Sequence, residues 1–429
     1  MGDHTSRRLI PEKGKNDWEL GMMALIPNIY IYYLSSKLPA MRILYPILFF
    51  LLVSIFSGCN EKPATSTGGT DSTSISNDST DAFYDKYKLN RVKLPEGFRI
   101  SVFAEVPDAR SMCWGENGTL FVGNRDGDKV FAVVDNDNDG KADKVHILDR
   151  NLTKPCGVAF RNGSLYVAEI SRILRYDSIE SRLANPPAPV IVYDKFPTEK
   201  HHGWKYIAFG PDGKLYVPVG APCNICNNKN PIYASITRMN ADGTGLEIFA
   251  RGVRNSVGFA WHPETKELWF TDNGRDMLGD DVPNCELNHA PKAGMHFGYP
   301  FCHQGDMLDP EFGKGQDCKK FIPPAQLMGP HVAPLGMRFY TGTMFPAEYK
   351  NRIFIAQHGS WNRSTPVGYR VMVATVENSK ITKYESFADG WLQGTSVSGR
   401  PVDIEIAKDG AILISDDKSG AIYRITYSK

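Results

Sequence analysis

Several features that would define a function class at once are missing from this sequence. The 49 Lys and Arg residues are balanced by 48 Asp and Glu residues, so the basic surplus of a general nucleic-acid binder is absent. The clearest apolar run, residues 43–56, is 14 residues long, whereas a membrane-spanning helix needs about 20. No stretch between the strand-like segments shows sustained 3.6-residue periodicity with caps, which argues against a parallel α/β sheet.

The residues that are present describe a large, turn-rich globular chain. Of the 429 residues, 42% are apolar, 11% aromatic and 23% charged, and there are 39 Gly and 28 Pro. Such a composition can bury a large core and is not that of a disordered chain. The length alone allows about three average domains or one large all-β or α/β domain.

The N-terminal region has the layout of an export signal. Met41-Arg42 precedes the apolar run 43–56, and Ser57-Gly58-Cys59 follows it, which is the order of a positive segment, a hydrophobic segment and a small-residue cleavage site. The run resembles a bacterial lipoprotein signal, in which Cys59 is lipidated. We therefore expect residues 1–40 to be an over-called gene start, residues 41–59 to be the signal, and the mature protein to be an exported periplasmic or outer-membrane-anchored lipoprotein. Cleaved soluble export and an uncleaved anchor remain alternatives.

Residues 60–82 are dominated by Ser, Thr, Gly and Asp, a composition that cannot bury enough apolar surface to order itself. We expect a flexible linker there. One folded domain is then expected over residues 83–429.

A repeat runs through that domain. Each copy is an apolar strand, a turn, which is Asn-Gly or Asp-Gly in most copies, and a second strand of aliphatic and aromatic residues, and such turns are the strongest short-range hairpin signal. The six copies span residues 111–122, 156–167, 206–217, 257–270, 335–355 and 402–414. Most second strands recur at intervals close to the roughly 40–50 residues of a four-stranded propeller blade.

The repeats predict an all-β fold, a six-bladed β-propeller. Residues 99–106 precede the first copy and are expected to supply the outer strand that closes the last blade. The longest interval, before the fifth copy, is rich in Gly, Pro and Cys and predicts a long functional loop or lid.

In a propeller, residues just before each first strand and just after each second strand meet around one mouth of the channel. The polar residues at those positions are His201-His202 before copy three, Arg254-Asn255 before copy four, residues 272–276 after it, residues 358–363 after copy five, and Arg400 before copy six. Imidazoles, guanidinium groups, amides and carboxylates together suit an anionic ligand, a cation and a proton acceptor.

In their order these motifs resemble a known family. His202-Gly-Trp-Lys-Tyr, Gly252-Val-Arg-Asn255, Asn273-Gly274 and Arg400-Pro-Val-Asp403 are similar to motifs of the pyrroloquinoline quinone (PQQ) dependent sugar dehydrogenases. His358-Gly-Ser-Trp-Asn-Arg363 is typical of the sorbosone and pyranose dehydrogenase branch. The resemblance covers roughly residues 90–427.

The resemblance implies a role for each matched residue. His202 would be the general base that accepts the sugar hydroxyl proton, with His201 as its competitor, since an imidazole titrates near neutral pH. The cofactor PQQ would be bound by cationic, amide and aromatic side chains of the mouth: Arg254, Asn255, His358, Trp361, Arg363 and Arg400. PQQ carries three carboxylates, for which guanidinium groups are apt partners. The main-chain oxygens of Gly274 and Arg275 would bind a calcium ion (Ca²⁺) that acts as a Lewis acid.

A second cation site is indicated in the first copy. Asp135, Asp137, Asp139 and Asp143 alternate around Gly140, like the first half of an EF-hand loop without its final Glu. We expect a structural calcium there, and a solvated acidic hairpin turn is the alternative.

The eight cysteines become seven if Cys59 is lipidated. Cys223-Asn-Ile-Cys226 has no second CxxC to complete a zinc site, so a small disulfide is expected, and Cys302 with Cys318 is expected to close a loop. Cys113 and Cys156 occupy equivalent positions and either pair or simply pack. Cys285 is then the odd thiol.

The leading hypothesis is therefore an exported PQQ- and calcium-dependent dehydrogenase of an aldose, a sorbosone-like sugar aldehyde or a related pyranose. Its partners would be a sugar, a cytochrome or quinone electron acceptor and, through the lipid, a membrane, with no nucleic acid. A calcium-dependent propeller hydrolase such as a lactonase, and a non-catalytic carbohydrate- or protein-binding propeller, are the alternatives.

Overall fold

The computed structural model describes residues 82–429. The expected gene start, the signal with Cys59, and all of the linker except Ala82 lie outside the described residues. Within the described part, no helix combines the length and the apolar character needed to cross a membrane.

The described chain begins with the short helix α1, a 3-10 turn η1 and a strand β1, which precede the first blade: Ala82–Lys86, Leu89–Arg91 and Phe98–Glu105. Blade one consists of β2 to β5: Ala109–Trp114, Leu120–Asn124, Val130–Val134 and Lys144–Asp149. Blade two consists of β6 to β9, with the 3-10 turn η2 before β9: Gly157–Arg161, Ser164–Ala168, Ile173–Tyr176, Ile179–Arg182 and Val190–Tyr193.

Blade three contains β10 to β13: Ala208–Phe209, Leu215–Val219, Ser235–Met239 and Glu247–Arg251. Blade four begins with β14 to β16: Phe259–Trp261, Leu268–Asp272 and Asn284–Ala290. The long interval then supplies β17, the hairpin β18–β19, the 3-10 turn η3, and β20: Met295–His296, Cys302–His303, Met307–Leu308, Cys318–Lys320 and Gln326–Pro330. β17 pairs in parallel with β13 of blade three, and β20 completes blade four.

Blade five contains β21, the 3-10 turn η4 and β22 to β24: Pro334–Phe339, Ala347–Tyr349, Ile353–Gln357, Arg370–Glu377 and Lys380–Ala388. A hairpin β25–β26 leads to blade six, formed by β27 to β29: Leu392–Gln393, Ser396–Val397, Pro401–Ile406, Ile412–Asp416 and Ala421–Tyr427. The predicted all-β six-bladed propeller is confirmed, because six sheets of four or five strands follow the six repeats.

The ring is closed by the N-terminal strand. β1 pairs antiparallel with β29, from Phe98 opposite Tyr427 to Glu105 opposite Ala421, so the outer strand of blade six comes from the start of the domain, as predicted. Closure removes a free edge from the sheet and joins the two ends of the fold.

Neighbouring blades pack through buried apolar faces. The second strands β3, β11, β15, β22 and β28 are buried at every residue. Blades four and five approach each other so closely at one position that there is no room for a side chain. A Cβ on Gly258 in blade four would lie 2.1 Å from the Leu335 carbonyl oxygen of blade five, so this position requires glycine. These contacts hold the first strands, and the residues before them, in fixed positions around the mouth.

Candidate functional site

A cavity of about 340 Å³ lies at the mouth where the second strands end and the first strands begin. Five of the six blades line it, and seven of the predicted site residues are among its lining: His202, Arg254, Asn255, Gly274, His358, Trp361 and Arg400. His201 lines it too. Residues at equivalent places in the repeats, which are far apart in sequence, therefore lie around one cavity.

His202 is held with one ring nitrogen ready to accept a proton. Its Nδ1 lies 2.8 Å from the carbonyl oxygen of Ala221, and because a carbonyl only accepts, Nδ1 carries the hydrogen and Nε2 the lone pair. Burial, and then the positive charge of Arg254, place the pKa of His202 well below its usual value, so the ring is neutral at neutral pH.

The backbone beneath His202 depends on a glycine. His202 has a φ of 50°, in the left-handed region. A Cβ on Gly220 would lie 2.6 Å from the Cβ of His202. Only glycine at position 220 therefore lets the neighbouring strand support this histidine so closely.

Arg254 and Arg400 occupy equivalent positions and are anchored in the same way. The Asp that ends the second strand of each blade accepts the backbone N–H of the arginine, Asp272 from Arg254 at 2.8 Å and Asp416 from Arg400 at 2.7 Å. Burial raises the pKa of both carboxyl groups to about 6. The recurring contact shows why an Asp that ends a buried strand fixes an arginine at the mouth.

The Arg400 guanidinium also binds the loop after β22. Its Nε and Nη2 donate to the carbonyl oxygens of His358 and Gly359 at 3.0 and 2.7 Å, and it lies over the ring of Tyr369. Blades five and six are thus joined at the cavity wall.

Asn224, which no sequence pattern indicated, holds Arg254 and Asp276 in place. Its side-chain oxygen accepts from Nη2 of Arg254 and from the backbone N–H of Asp276, each at 2.8 Å, and its Nδ2 donates to the Asp276 carbonyl at 2.9 Å. Arg254 also donates from Nε to the Asn224 carbonyl and from Nη1 to the Asn273 carbonyl. Asn224 lies within the loop closed by the Cys223–Cys226 disulfide, so the predicted small disulfide is confirmed and fixes one side of the site.

His358 forms a buried pair with Asp417. Its Nε2 lies 2.8 Å from Oδ1 of Asp417, and burial lowers the pKa of His358 to about 4 against the opposing effect of that carboxylate. Asp417 also accepts from Nη1 of Arg110 at 3.0 Å. Although burial acts in the other direction, these neighbours hold the pKa of Asp417 below its usual range.

Arg110 and Arg125 line the cavity and were not predicted. Arg110 stands just before the first repeat and Arg125 just after its second strand, so the positional rule used for the other blades would have found them in blade one. With Arg254 and Arg400 they form what we call the arginine wall. Asn255 Oδ1 and Arg110 Nε are buried in it without a hydrogen-bond partner among the described residues.

His331, another residue the sequence analysis missed, lies before β21 and donates from Nε2 to the Gly279 carbonyl at 2.8 Å. Its position directly after β20, at the end of the long interval, gave no repeat signal. The interval therefore contributes a lining residue as well as connecting strands.

Two of the residues predicted for the mouth are not among those that line the cavity. Arg363 is paired with the exposed Asp281 at 3.4 Å and does not line the cavity. The Arg275 side chain is buried in an ion pair with Asp309 at 2.5 Å and does not reach the cavity. The prediction for Arg275 concerned its main-chain oxygen, which this ion pair does not involve. The carbonyl oxygens of Gly274 and Arg275 accept no hydrogen bond from another described residue.

The acidic loop of blade one brings three carboxylates together. Oxygen atoms of Asp135, Asp137 and Asp143 lie within 4.8 Å of one another. Asp139 instead accepts the backbone N–H of Lys141 at 2.7 Å, so it does not join the cluster. Asp135 Oδ1 is buried and unpaired among the described residues.

The other described cysteines form one disulfide and three free thiols. Cys302 and Cys318 form the predicted disulfide in the long interval. Cys113, Cys156 and Cys285 are free thiols, so the alternative in which Cys113 pairs with Cys156 is wrong. Cys156 and Cys285 are buried and Cys113 is partly buried. Burial raises the pKa of Cys113 well above its usual value and that of Cys285 to about 11.

Fold and site together define a class, that of six-bladed β-propellers with a cationic, histidine-containing cavity at the channel mouth. The family model described as TrAA12-like matches residues 92–428. The chain belongs to this family, and the resemblance drawn from the sequence motifs is confirmed.

The chain is 33% identical to an uncharacterized protein of Borreliella burgdorferi over 356 residues, which cover 79% of this chain and 91% of that protein. Among solved structures, the calcium structure of the Trichoderma reesei family AA12 enzyme superposes with a TM-score of 0.69 at 20% identity, covering 79% of this chain and 97% of that one. The holo form of the pyranose dehydrogenase PQQ domain from Coprinopsis cinerea gives a TM-score of 0.66 at 18% identity, covering 78% and 97%. At these identities the two structures establish the shared fold.

Proposed function

We propose that this chain is an exported PQQ- and calcium-dependent dehydrogenase that oxidises an aldose, a sugar aldehyde or a related pyranose. The single observation that carries the proposal is that the arginine wall and His202 line one cavity. Four guanidinium groups around one small cavity suit a ligand with several carboxylates, and PQQ has three.

The unpaired atoms of the cavity fit such a ligand. A buried guanidinium nitrogen on Arg110 and a buried amide oxygen on Asn255 have no partner among the described residues, and leaving them unpaired costs free energy. Arg125 and Arg400 would hold carboxylates of the cofactor, Asn255 would accept a donor from it, and the free carbonyl oxygens of Gly274 and Arg275 would bind calcium. When bound, PQQ supplies a two-electron hydride acceptor and calcium a Lewis acid beside it.

His202 supports this reaction from the protein side. Because Nδ1 is bound to the Ala221 carbonyl, Nε2 accepts the proton of the sugar hydroxyl as its carbon loses hydride. Arg254 and His201 oppose the resulting imidazolium, so the proton passes on to solvent before the next turnover.

The lactonase alternative needs several carboxylates and amides around one metal. Among the described lining residues the only carboxylate is Asp276, which already lies 3.3 Å from the Arg254 guanidinium. The distribution of charge therefore favours the dehydrogenase over the hydrolase. The oriented, neutral ring of His202 favours it over a passive binding propeller.

Reconstitution tests the proposal. Purified apoprotein is titrated with PQQ in the presence and absence of calcium, binding is followed by absorbance and calorimetry, and dye-coupled oxidation is measured over a panel of sugars. Calcium-dependent PQQ binding with sugar-dependent dye reduction supports the proposal. Absence of PQQ binding would overturn it.

We propose further that the acidic loop of blade one holds a structural calcium ion, bound by Asp135, Asp137 and Asp143. Removing calcium from the apoprotein should lower the melting temperature, and Asp137→Asn should reduce that difference. A melting temperature indifferent to calcium in both proteins would show a solvated acidic turn instead.

We also propose that a cytochrome or a quinone accepts the electrons from the protein, and that a lipid at Cys59 anchors the chain to a membrane.

A further inference from the structure

The two most exposed large apolar side chains of the described residues lie at the same mouth. Trp361 is 70% exposed and Met277 63% exposed, against 54% or less for the other exposed large apolar residues. Single exposed apolar residues need no explanation, but a tryptophan and a methionine concentrated at a cavity entrance are typical of a binding surface.

The loops that carry them are braced against each other. The backbone N–H of Met277 donates to Oδ1 of Asn362 at 3.1 Å, and the backbone N–H of Ser364 donates to Oδ1 of Asp280 at 3.1 Å. His331 holds the base of the first loop through the Gly279 carbonyl. The two side chains are therefore exposed on a fixed rim, where little conformational entropy is lost on binding.

The rim is continuous with the cavity. Trp361 also belongs to the cavity lining, so a molecule bound below it can extend outwards along its ring. The exposed carboxylate of Asp281, 89% accessible, and the amide of Asn362 lie on the same two loops and supply hydrogen-bond acceptors and donors for hydroxyl groups.

We infer that Trp361 and Met277 form an outer subsite for a second sugar ring, so that the substrate is a disaccharide or longer saccharide whose terminal ring enters the cavity. A pyranose has a C–H face that packs on an aromatic ring and hydroxyl groups at its edge, and this rim offers both kinds of contact. The inference rests on the proposed function, because it assigns the substrate class to that same cavity.

A saccharide fits the rim better than a redox protein. Stable protein interfaces bury about 1,200–2,000 Å² and transient redox interfaces somewhat less, whereas the apolar part of this rim consists of two side chains. The acceptor protein is the alternative that the experiment must separate.

The test uses the full mature chain loaded with PQQ and calcium. Values of kcat/KM are measured for a hexose and for the disaccharide and trisaccharide that end in the same hexose, at saturating dye. We expect Trp361→Ala to lower kcat/KM about 10-fold more for the disaccharide than for the hexose, with the additional loss mostly in KM. Trp361→Phe should retain most of the activity, and Ile191→Ala, which removes an exposed apolar side chain from blade two, should change nothing.

Two outcomes would overturn the inference. An equal loss for hexose and disaccharide would place the effect of Trp361 inside the cavity. A change confined to the KM of a protein acceptor, with all sugars unaffected, would assign the rim to the redox partner.

A binding readout separates this inference from the proposed function. Calorimetry with the methyl glycoside of the disaccharide, which is not oxidised at its anomeric carbon, measures the subsite without turnover. If PQQ fails to bind, the proposed function falls, yet saccharide binding that is weakened in Trp361→Ala would still support the outer subsite. No saccharide binding by the wild-type chain would sink it.

Discussion

At the scale of single residues, the proposed reaction depends on one histidine that stays neutral among positive charges. Arg254 and His201 lie close to His202 and both oppose its protonation, and burial acts in the same direction. The Ala221 carbonyl fixes the tautomer. The same positive charges that attract an anionic cofactor thus keep the proton acceptor available at neutral pH.

Replacing His202 should separate catalysis from binding. His202→Ala is expected to lower kcat by roughly 10²–10⁴-fold, the usual contribution of a positioned general base, with PQQ affinity nearly unchanged. Because the pKa of His202 is depressed, activity of the wild type should stay flat near neutral pH and fall only as pH drops well below 6.5. Stopped-flow reduction of the loaded protein over a pH series measures both. Unchanged turnover in His202→Ala would transfer the role of base to another group, with His201→Ala as the matched control.

Arg125 offers the cleanest test of the arginine wall. It is partly exposed, with its guanidinium over the Trp204 ring, so its loss should leave the fold intact. Arg125→Gln is expected to weaken PQQ binding about 10- to 100-fold, the effect of one charge-assisted hydrogen bond. Calorimetric titration compares it with Arg150→Gln, an exposed arginine of the same blade. Equal affinities for the two variants would contradict a role for Arg125.

At the scale of elements, short loops add positioning contacts to those of the strand ends at Asp272 and Asp416. The Cys223–Cys226 loop holds Asn224 against Arg254 and Asp276, and Cys226 itself donates its N–H to the Tyr299 hydroxyl at 3.0 Å. The long interval, expected to form a loop or lid, contributes strands to two blades and encloses the second disulfide.

The two disulfides should have different effects when removed. Loop-closure entropy gives about 2 kcal/mol for the short Cys223–Cys226 loop and about 3 kcal/mol for the longer Cys302–Cys318 loop. We therefore expect the double variant Cys223→Ser with Cys226→Ser to show the larger loss of PQQ affinity, because this disulfide lies beside Asn224. The double variant Cys302→Ser with Cys318→Ser should show the larger fall in melting temperature. Calorimetric PQQ titrations and thermal melts of both double variants decide this, and identical profiles would show that Asn224 is positioned without the disulfide.

At the scale of the whole molecule, ring closure joins the site residues into one rigid arrangement. β1 pairs with β29 over its full length, and the ring of Phe98 contacts four aromatic rings of blades five and six: Phe345, Tyr349, Phe387 and Tyr427. The closing strand therefore also packs the interface between two blades.

Phe98→Ala should measure the strength of that closure. Losing a buried phenylalanine costs about 3–5 kcal/mol of unfolding free energy, and because the closing contact is shared by two blades we expect a single cooperative transition at lower temperature. Thermal and denaturant unfolding compare it with Ile191→Ala, for which the change should be within about 0.5 kcal/mol. A loss below about 1 kcal/mol would show that β1 is not needed to hold the ring.

The sequence by itself determined the blades, because strand periodicity and Asn-Gly or Asp-Gly turns are local properties of the chain. It also indicated most of the mouth, since residues at equivalent places in a repeat meet when the ring closes. His202, Arg254 and Arg400 were found on that ground, and Arg110 and Arg125 follow from the same rule applied to blade one.

Only the tertiary structure decided which polar groups are bound to which. Asn224 reaches Arg254 and Asp276 from 30 and 52 residues away in sequence, and Asp417 pairs with His358 across two blades, contacts that no local pattern encodes. The same holds for Arg363, which a motif placed at the cofactor and an ion pair with Asp281 places at the rim. Repetition fixes where backbones converge, whereas the partner of each side chain depends on loops whose paths are set by long-range packing.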